Sequence, residues 1–232
     1  MTQSVRKNLE QIPLNRAEEN LQETFYDLLD EADRDEIAIE LQDFFRSLEN
    51  ANRYLTEDER VRLLYEVLSA SITYDRTKYK AGRGRMRYSY SGCLTCGKAV
   101  CIGIAQQFTQ LGTLLGLQVQ TIVGYGGDPA RKGGRHAWNL VWLNDPVRGR
   151  IPYHVDLTWD LIEFSRNRGF MYFLKSDEYM QKNNHQWLPE RYPPCVHNRE
   201  PAQIAHIPHE VVDWVCRRYK LMVNRLAHLH KV

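Results

Sequence analysis

The chain reads as an α+β fold, with one helix packed on an antiparallel sheet and further helices at both ends. Three observations carry that reading. Apolar residues recur at helical spacing through the first third, an apolar helix opens at Cys101, and three short alternating segments joined by tight turns follow it. Periods of 3.6 and 2 report which face of a helix or strand is buried.

Each element has its own signal. Residues 1–55 read as a helical extension: Leu21, Phe25, Leu28 and Leu29 share one helical face, as do Ile37, Leu41, Phe44, Phe45 and Leu48. Thr56 followed by Glu59 is a capping box, and the helix it starts turns Val61, Leu64, Leu68 and Ile72 inward. Residues 75–92, DRTKYKAGRGRMRYSYSG, have no apolar period and read as a loop. In CIGIAQQFTQLGTLLGL the residues Ile104, Phe108, Leu111 and Leu115 keep helical spacing, and Gly116-Leu117 is a Schellman-type stop. QVQTIVGYG, HAWNLVWL and IPYHVDLTWD alternate as strands of an antiparallel meander, the first two separated by the glycine-rich turn GYGGDPARKGGR. The chain after residue 160 reads as irregular until a long amphipathic helix within residues 201–232. Its face of Val212, Val215, Tyr219, Met222, Leu226 and Leu229 could pack on the body or on a second copy, making a homo-oligomer.

Composition narrows the class. A chain of 232 residues can bury a real core. No run of eighteen apolar residues occurs and the N-terminus lacks the apolar stretch of a secretory signal, so the expectation is a cytoplasmic protein without a membrane partner. Five cysteines make a disulfide framework a poor fit. Residues 1–75 carry 8 Lys and Arg against 18 Asp and Glu, a balance of −10, while residues 76–232 carry 23 against 11, a balance of +12. Opposite fields of this kind help two surfaces dock, or make a basic cleft that prefers acidic substrates. The loop contributes Arg83, Arg85 and Arg87, a candidate rim for acidic protein or peptide groups. Its interleaved tyrosines are weak evidence for nucleic acid, because no nucleic-acid fold accompanies them.

The chemistry lies in Cys101, His136 and Asp156. Cys101 sits in the first turn of a helix, where unpaired N–H groups and the dipole stabilise thiolate. An imidazole from a neighbouring strand can take the thiol proton. If the strands holding His136 and Asp156 are neighbours, the carboxylate can reach the second ring nitrogen and fix the tautomer. Trp138, two residues after the histidine, can shield that pair from water. By spacing alone His154 is an equal candidate for the base and Asp160 for the acid. Cys93 and Cys96 form a CxxC pair that could join Cys195 and His197 at zinc or act as a redox switch. Two unpaired thiols packed near the cleft is the simpler reading, and Cys216 reads as packing or surface.

GKAVCIGIA, RHAWNLVWL and YHVDLTWD resemble, in order, the three signature segments of the transglutaminase-like superfamily, whose members share a papain-like cysteine-protease fold. ASITYD resembles the end of the helix before that family's cysteine loop, and SDEYMQKNNHQWLPERYP the tail of bacterial members. The resemblance runs from about residue 56 to 195, within an expected core of 56–200. It implies Cys101 as nucleophile, His136 as general base and then acid, and Asp156 as the residue orienting the histidine. It also implies an oxyanion hole built on the backbone N–H of Cys101, with Tyr90 and Trp138 as candidates for its support, and no metal or organic cofactor. The expected outcome is a peptidase or amidase acting on a protein or peptide. A protein-glutamine transglutaminase or deamidase is the alternative enzyme, although the chain shows no added β-domains or acidic calcium loops. A catalytically silent interaction scaffold is the alternative of another class.

Overall fold

A computed structural model describes residues 31–52, 55–77, 88, 90–127, 133–164 and 169–228. Helix α1, Glu31–Asn52, buries Phe44 and Leu48. Helix α2, Glu57–Ser71, begins at the expected box: the Thr56 hydroxyl accepts from the Glu59 N–H at 3.3 Å, and the Thr56 N–H donates to the Glu59 carboxylate at 2.8 Å. Val61, Leu64, Leu68 and Ile72 are buried as the period predicts. Leu63, Tyr65 and Val67 are buried too, because α2 is covered on more than one side. Strand β1, Thr73–Tyr74, runs parallel to β2, Lys98–Ala99.

The expected loop is interrupted. Helix α3, Tyr90–Cys96, starts inside it, and β2 follows after Gly97. The periodicity argument misses α3 because its seven residues are too few to display a stripe. Helix α4, Cys101–Leu114, then begins one residue after Val100. It ends in the Schellman pattern: Leu117 N–H bonds Gly112 C=O at 2.9 Å, Gly116 N–H bonds Thr113 C=O at 3.0 Å, and Gly116 takes φ +72°.

Strands β3 (Gln118–Gly126), β4 (Gly134–Asp145) and β5 (Gly149–Val155) form the antiparallel meander. The third strand stops at Val155, five residues earlier than the alternation suggested. Helix α5, Leu157–Phe164, takes over because Asp156 caps it: its Oδ1 accepts from the Trp159 N–H at 3.1 Å. The stretch after residue 160 also holds helix α6, Asp177–Lys182, and strand β6, His185–Gln186. The sheet order is β5-β4-β3-β6.

Helix α4 lies on β3 and β4. The buried Asn139 pins it there, donating to the Ala105 carbonyl and the Thr109 hydroxyl, each at 2.9 Å. The other face of the sheet carries a second apolar cluster of Ile122, Trp138, Leu140, Met180 and Trp187. Helix α7, His209–Leu226, buries Val212, Val215, Cys216, Tyr219, Met222 and Leu226 in the main core and packs on α1, α2 and α3. Val212, Val215, Tyr219, Met222 and Leu226 of the face that could have met a second copy are therefore covered by the chain itself, and Leu229 lies outside the described residues. Among the described residues no helix is long and apolar enough to cross a membrane.

Candidate active site

Cys101 is the first residue of α4, after a Val100 cap that offers no side-chain acceptor. The first-turn N–H groups thus have no intrahelical partner and face the thiol end of the helix. The β1–β2 pairing ends one residue before Val100 and fixes where the helix starts. His136 lies near the start of β4, and Asp156 immediately after β5, its pairing partner.

The three side chains meet. The His136 imidazole and the Ala137 backbone N–H both act on the Cys101 thiol and favour its ionised form. His136 Nε2 lies 2.6 Å from Asp156 Oδ2, which leaves Nδ1 for the thiol. Asp156 is wholly buried, whereas Cys101 keeps partial exposure and can be reached from solvent.

The electrostatics follow from that geometry. Burial pushes the Cys101 thiol up, but the hydrogen bond and charge of His136 and the Ala137 N–H outweigh it, and the pKa falls below the ordinary thiol value. Burial pulls His136 down, but the charge and hydrogen bond of Asp156, joined by Cys101, push it up to about 10. Burial likewise pushes Asp156 up, and His136 and His185 bring it well below the ordinary carboxylate range. The other four thiols all move upward, burial being the largest cause for each of Cys93, Cys96, Cys195 and Cys216. A fully buried, unionised Cys93 is a poor partner for the redox switch the CxxC pair suggested.

The rival candidates have other employment. His154 is buried; its Nδ1 accepts from the Trp138 indole N–H at 2.9 Å, and its Nε2 meets Asp177 at 2.7 Å. Burial lowers its pKa. An indole N–H only donates, so His154 carries its proton on Nε2. Asp160 accepts from the Tyr65 hydroxyl and from the N–H groups of Met171 and Tyr172, tying α2 and the 171–172 turn to α5. Trp138 stacks on His136 with ring centroids 5.5 Å apart and planes 22° apart. It covers one face of the imidazole, and its N–H is committed to His154 rather than to an oxyanion. Gly124 makes room for it: a Cβ there would sit 2.5 Å from the Trp138 ring and 2.3 Å from the Gln186 carbonyl.

The periodicity reading missed His185. It stands on β6, within the stretch read as irregular, and its Nε2 lies 2.8 Å from the same Asp156 Oδ2. Its one signal was its place in the tail segment SDEYMQKNNHQWLPERYP. By type His136, Asp156 and His185 could hold a metal, as could His154, Asp177 and Cys195. In both groups, however, the ring nitrogens lie 2.6 to 2.8 Å from a carboxylate oxygen, the spacing of a shared proton. Cys195 groups with His154 and Asp177, and the alternative four-ligand set with Cys93, Cys96 and His197 is not among the ligating groups of the described residues. The side chain of Tyr90 and all of Arg83, Arg85 and Arg87 lie outside the described residues.

Residues 46–155, which span Cys101 and His136 and stop one residue short of Asp156, match the sequence model of the transglutaminase-like superfamily. The transglutaminase-like match is carried by those residues, a little under half of the chain. A crystal structure of a TGase is similar to this chain at 18% identity, covering 62% of this chain and 38% of its own, with a TM-score of 0.41. This chain thus spans well under half of that structure's length. No curated protein matches it.

Proposed function

We propose that this protein is a cysteine acyl-transfer enzyme that hydrolyses amide bonds of protein or peptide substrates through a thioester on Cys101. The observation that carries this reading is the geometry: Cys101 opens a helix beside the His136 imidazole, whose Nε2 lies 2.6 Å from the buried Asp156 carboxylate, an arrangement that lowers the thiol and raises the imidazole. In the resting site His136 holds the proton and Cys101 is thiolate. The thiolate attacks the carbonyl carbon, and the carbonyl electron pair moves onto oxygen. The Cys101 backbone N–H, at a helix start, is the proposed donor to that oxyanion. Collapse breaks the C–N bond, and the departing amine takes the His136 proton. Neutral His136 then draws a proton from water as its oxygen attacks the thioester, and the acid product and the thiolate–imidazolium pair return. An amine entering in place of water would give the transglutaminase outcome from the same thioester. Arg83, Arg85 and Arg87 are the proposed rim for acidic substrate groups.

The test is intact-mass analysis with limiting iodoacetamide across pH 5 to 9, with peptide mapping, on wild type and His136→Ala. Alkylation of Cys101 ahead of the other four cysteines below pH 7, slowed in the variant, is expected. Equal, slow labelling of all five would refute an activated nucleophile and favour the silent scaffold.

A further inference from the structure

His185 has a chemistry of its own. Its Nε2 faces Asp156 Oδ2 at 2.8 Å and its Nδ1 faces the Asn183 carbonyl oxygen at 3.0 Å. Both partners only accept. A neutral imidazole has one N–H and one lone pair, so it would set a lone pair against an oxygen on one side; the imidazolium satisfies both. The ring is fully buried, held by Trp159 at 4.2 Å, Trp138 at 5.2 Å and Tyr172 at 5.4 Å between centroids.

The charges around it make that form consistent. His136 of β4 lies 5.6 Å away between ring centroids. Asp156, at the β5–α5 junction, touches both histidines. His154 of β5 is uncharged, with its Nε2–H directed to Asp177 of α6. Asp160 of α5 is satisfied by Tyr65 and two backbone donors. Thiolate, two imidazoliums and the Asp156 carboxylate then sum to zero, and Asp160, whose carboxyl burial pushes up to about 7, adds a negative charge to the group only as pH rises above neutrality. With a neutral residue at 185 the same buried group carries a net negative charge, which a low-dielectric site opposes.

We propose that His185 is a positioning residue acting through Asp156: as a doubly donating imidazolium it shares the carboxylate with His136, aims Oδ2 at His136 Nε2, and keeps the buried site electrically neutral. This rests on the reading of Cys101 and His136 as an activated pair. Two signs follow. Removing the positive charge makes the thiolate less favourable, so Cys101 ionises at higher pH. It also leaves Asp156 to His136 alone, so His136 loses its proton at higher pH.

The experiment compares wild type with His185→Gln, which retains an N–H donor without the charge. It records the pH dependence of Cys101 alkylation by iodoacetamide and the ring titration of His136 by NMR on 15N-histidine-labelled full chain. Both midpoints should move up in His185→Gln, the alkylation midpoint by about one unit, a tenfold slower reaction on the acid side. Unchanged midpoints in a folded variant would overturn the proposal, because a residue that merely fills space leaves both titrations in place. The same labelled wild type covers a variant that does not fold. Two protonated ring nitrogens on His185 under the conditions in which Cys101 is alkylated support the proposal, and a neutral ring there sinks it. Wild type without low-pH alkylation of Cys101 would remove the activated pair instead, and the His185 ring spectrum would still report its own charge.

Discussion

Asp156 performs three jobs with two oxygens: Oδ2 receives His136 and His185, and Oδ1 caps α5 through Trp159 N–H. Replacing it with asparagine keeps a cap-competent side chain but removes the charge that holds His136 protonated. In Asp156→Asn the His136 ring should therefore titrate well below about 10, nearer the value of a free histidine, with the direction read by NMR. Because His136 then loses its proton near neutrality, Cys101 loses its cationic partner and should alkylate more slowly at pH 7. The carboxylate lies nearer the ring than the thiol, so its loss weakens the imidazolium more than it helps the thiolate. An unchanged His136 titration would mean that Asp160 or another group supplies the charge.

At the scale of elements, the site depends on close approach. Strand β3 runs between β4 and β6, and Gly124 is where the chain leaves space for Trp138 on one side and the β6 backbone on the other. A methyl group there meets a ring and a carbonyl, neither of which is a flexible end. Gly124→Ala should cost about 1–3 kcal/mol by overpacking, measured by urea unfolding. It should also disturb His136, through the displaced Trp138, and His185, through the displaced β6. A variant of wild-type stability would show that β6 can slide. Capping shows the same dependence of element on side chain: α2 begins where Thr56 and Glu59 satisfy each other's backbone, and α5 begins where Asp156 interrupts a strand.

Across the whole molecule, the helices at either end of the chain belong to the same core as the site. Tyr219 of α7 is fully buried, meets Phe44 of α1 edge-on at 5.4 Å, and donates its hydroxyl to the Cys93 carbonyl of α3 at 3.1 Å. Helix α3 leads through β2 to Cys101, so α7 braces the segment that positions the nucleophile. Tyr219→Phe removes one hydrogen bond and should cost about 1 kcal/mol. Tyr219→Ala also opens a cavity and should cost about 3–5 kcal/mol, as large aromatic truncations do. Chemical denaturation of both variants checks the ordering, and equal stabilities would mean that α7 only decorates the core.

The sequence by itself determined the periodic elements and the residues whose surroundings are local. Thr56 with Glu59, Gly116 with Leu117, and Cys101 at a helix start are all read within a few positions, because capping and dipole effects act over one turn. Alternation in HAWNLVW and YHVDLTW also set the faces of the two strands, so that Asp156 could reach His136 if they were neighbours, and the β4–β5 pairing makes them so. Tertiary structure alone decided which of the equivalent candidates meet. His154 and His136 sit on similar strands, and Asp160 follows Asp156 by one turn; only packing turns His154 toward Trp138 and Asp160 toward Tyr65. His185 was beyond local reading for the same reason. It is 29 residues from the carboxylate it touches, on a two-residue strand with no period to report, and its role exists only once β6 closes against β3.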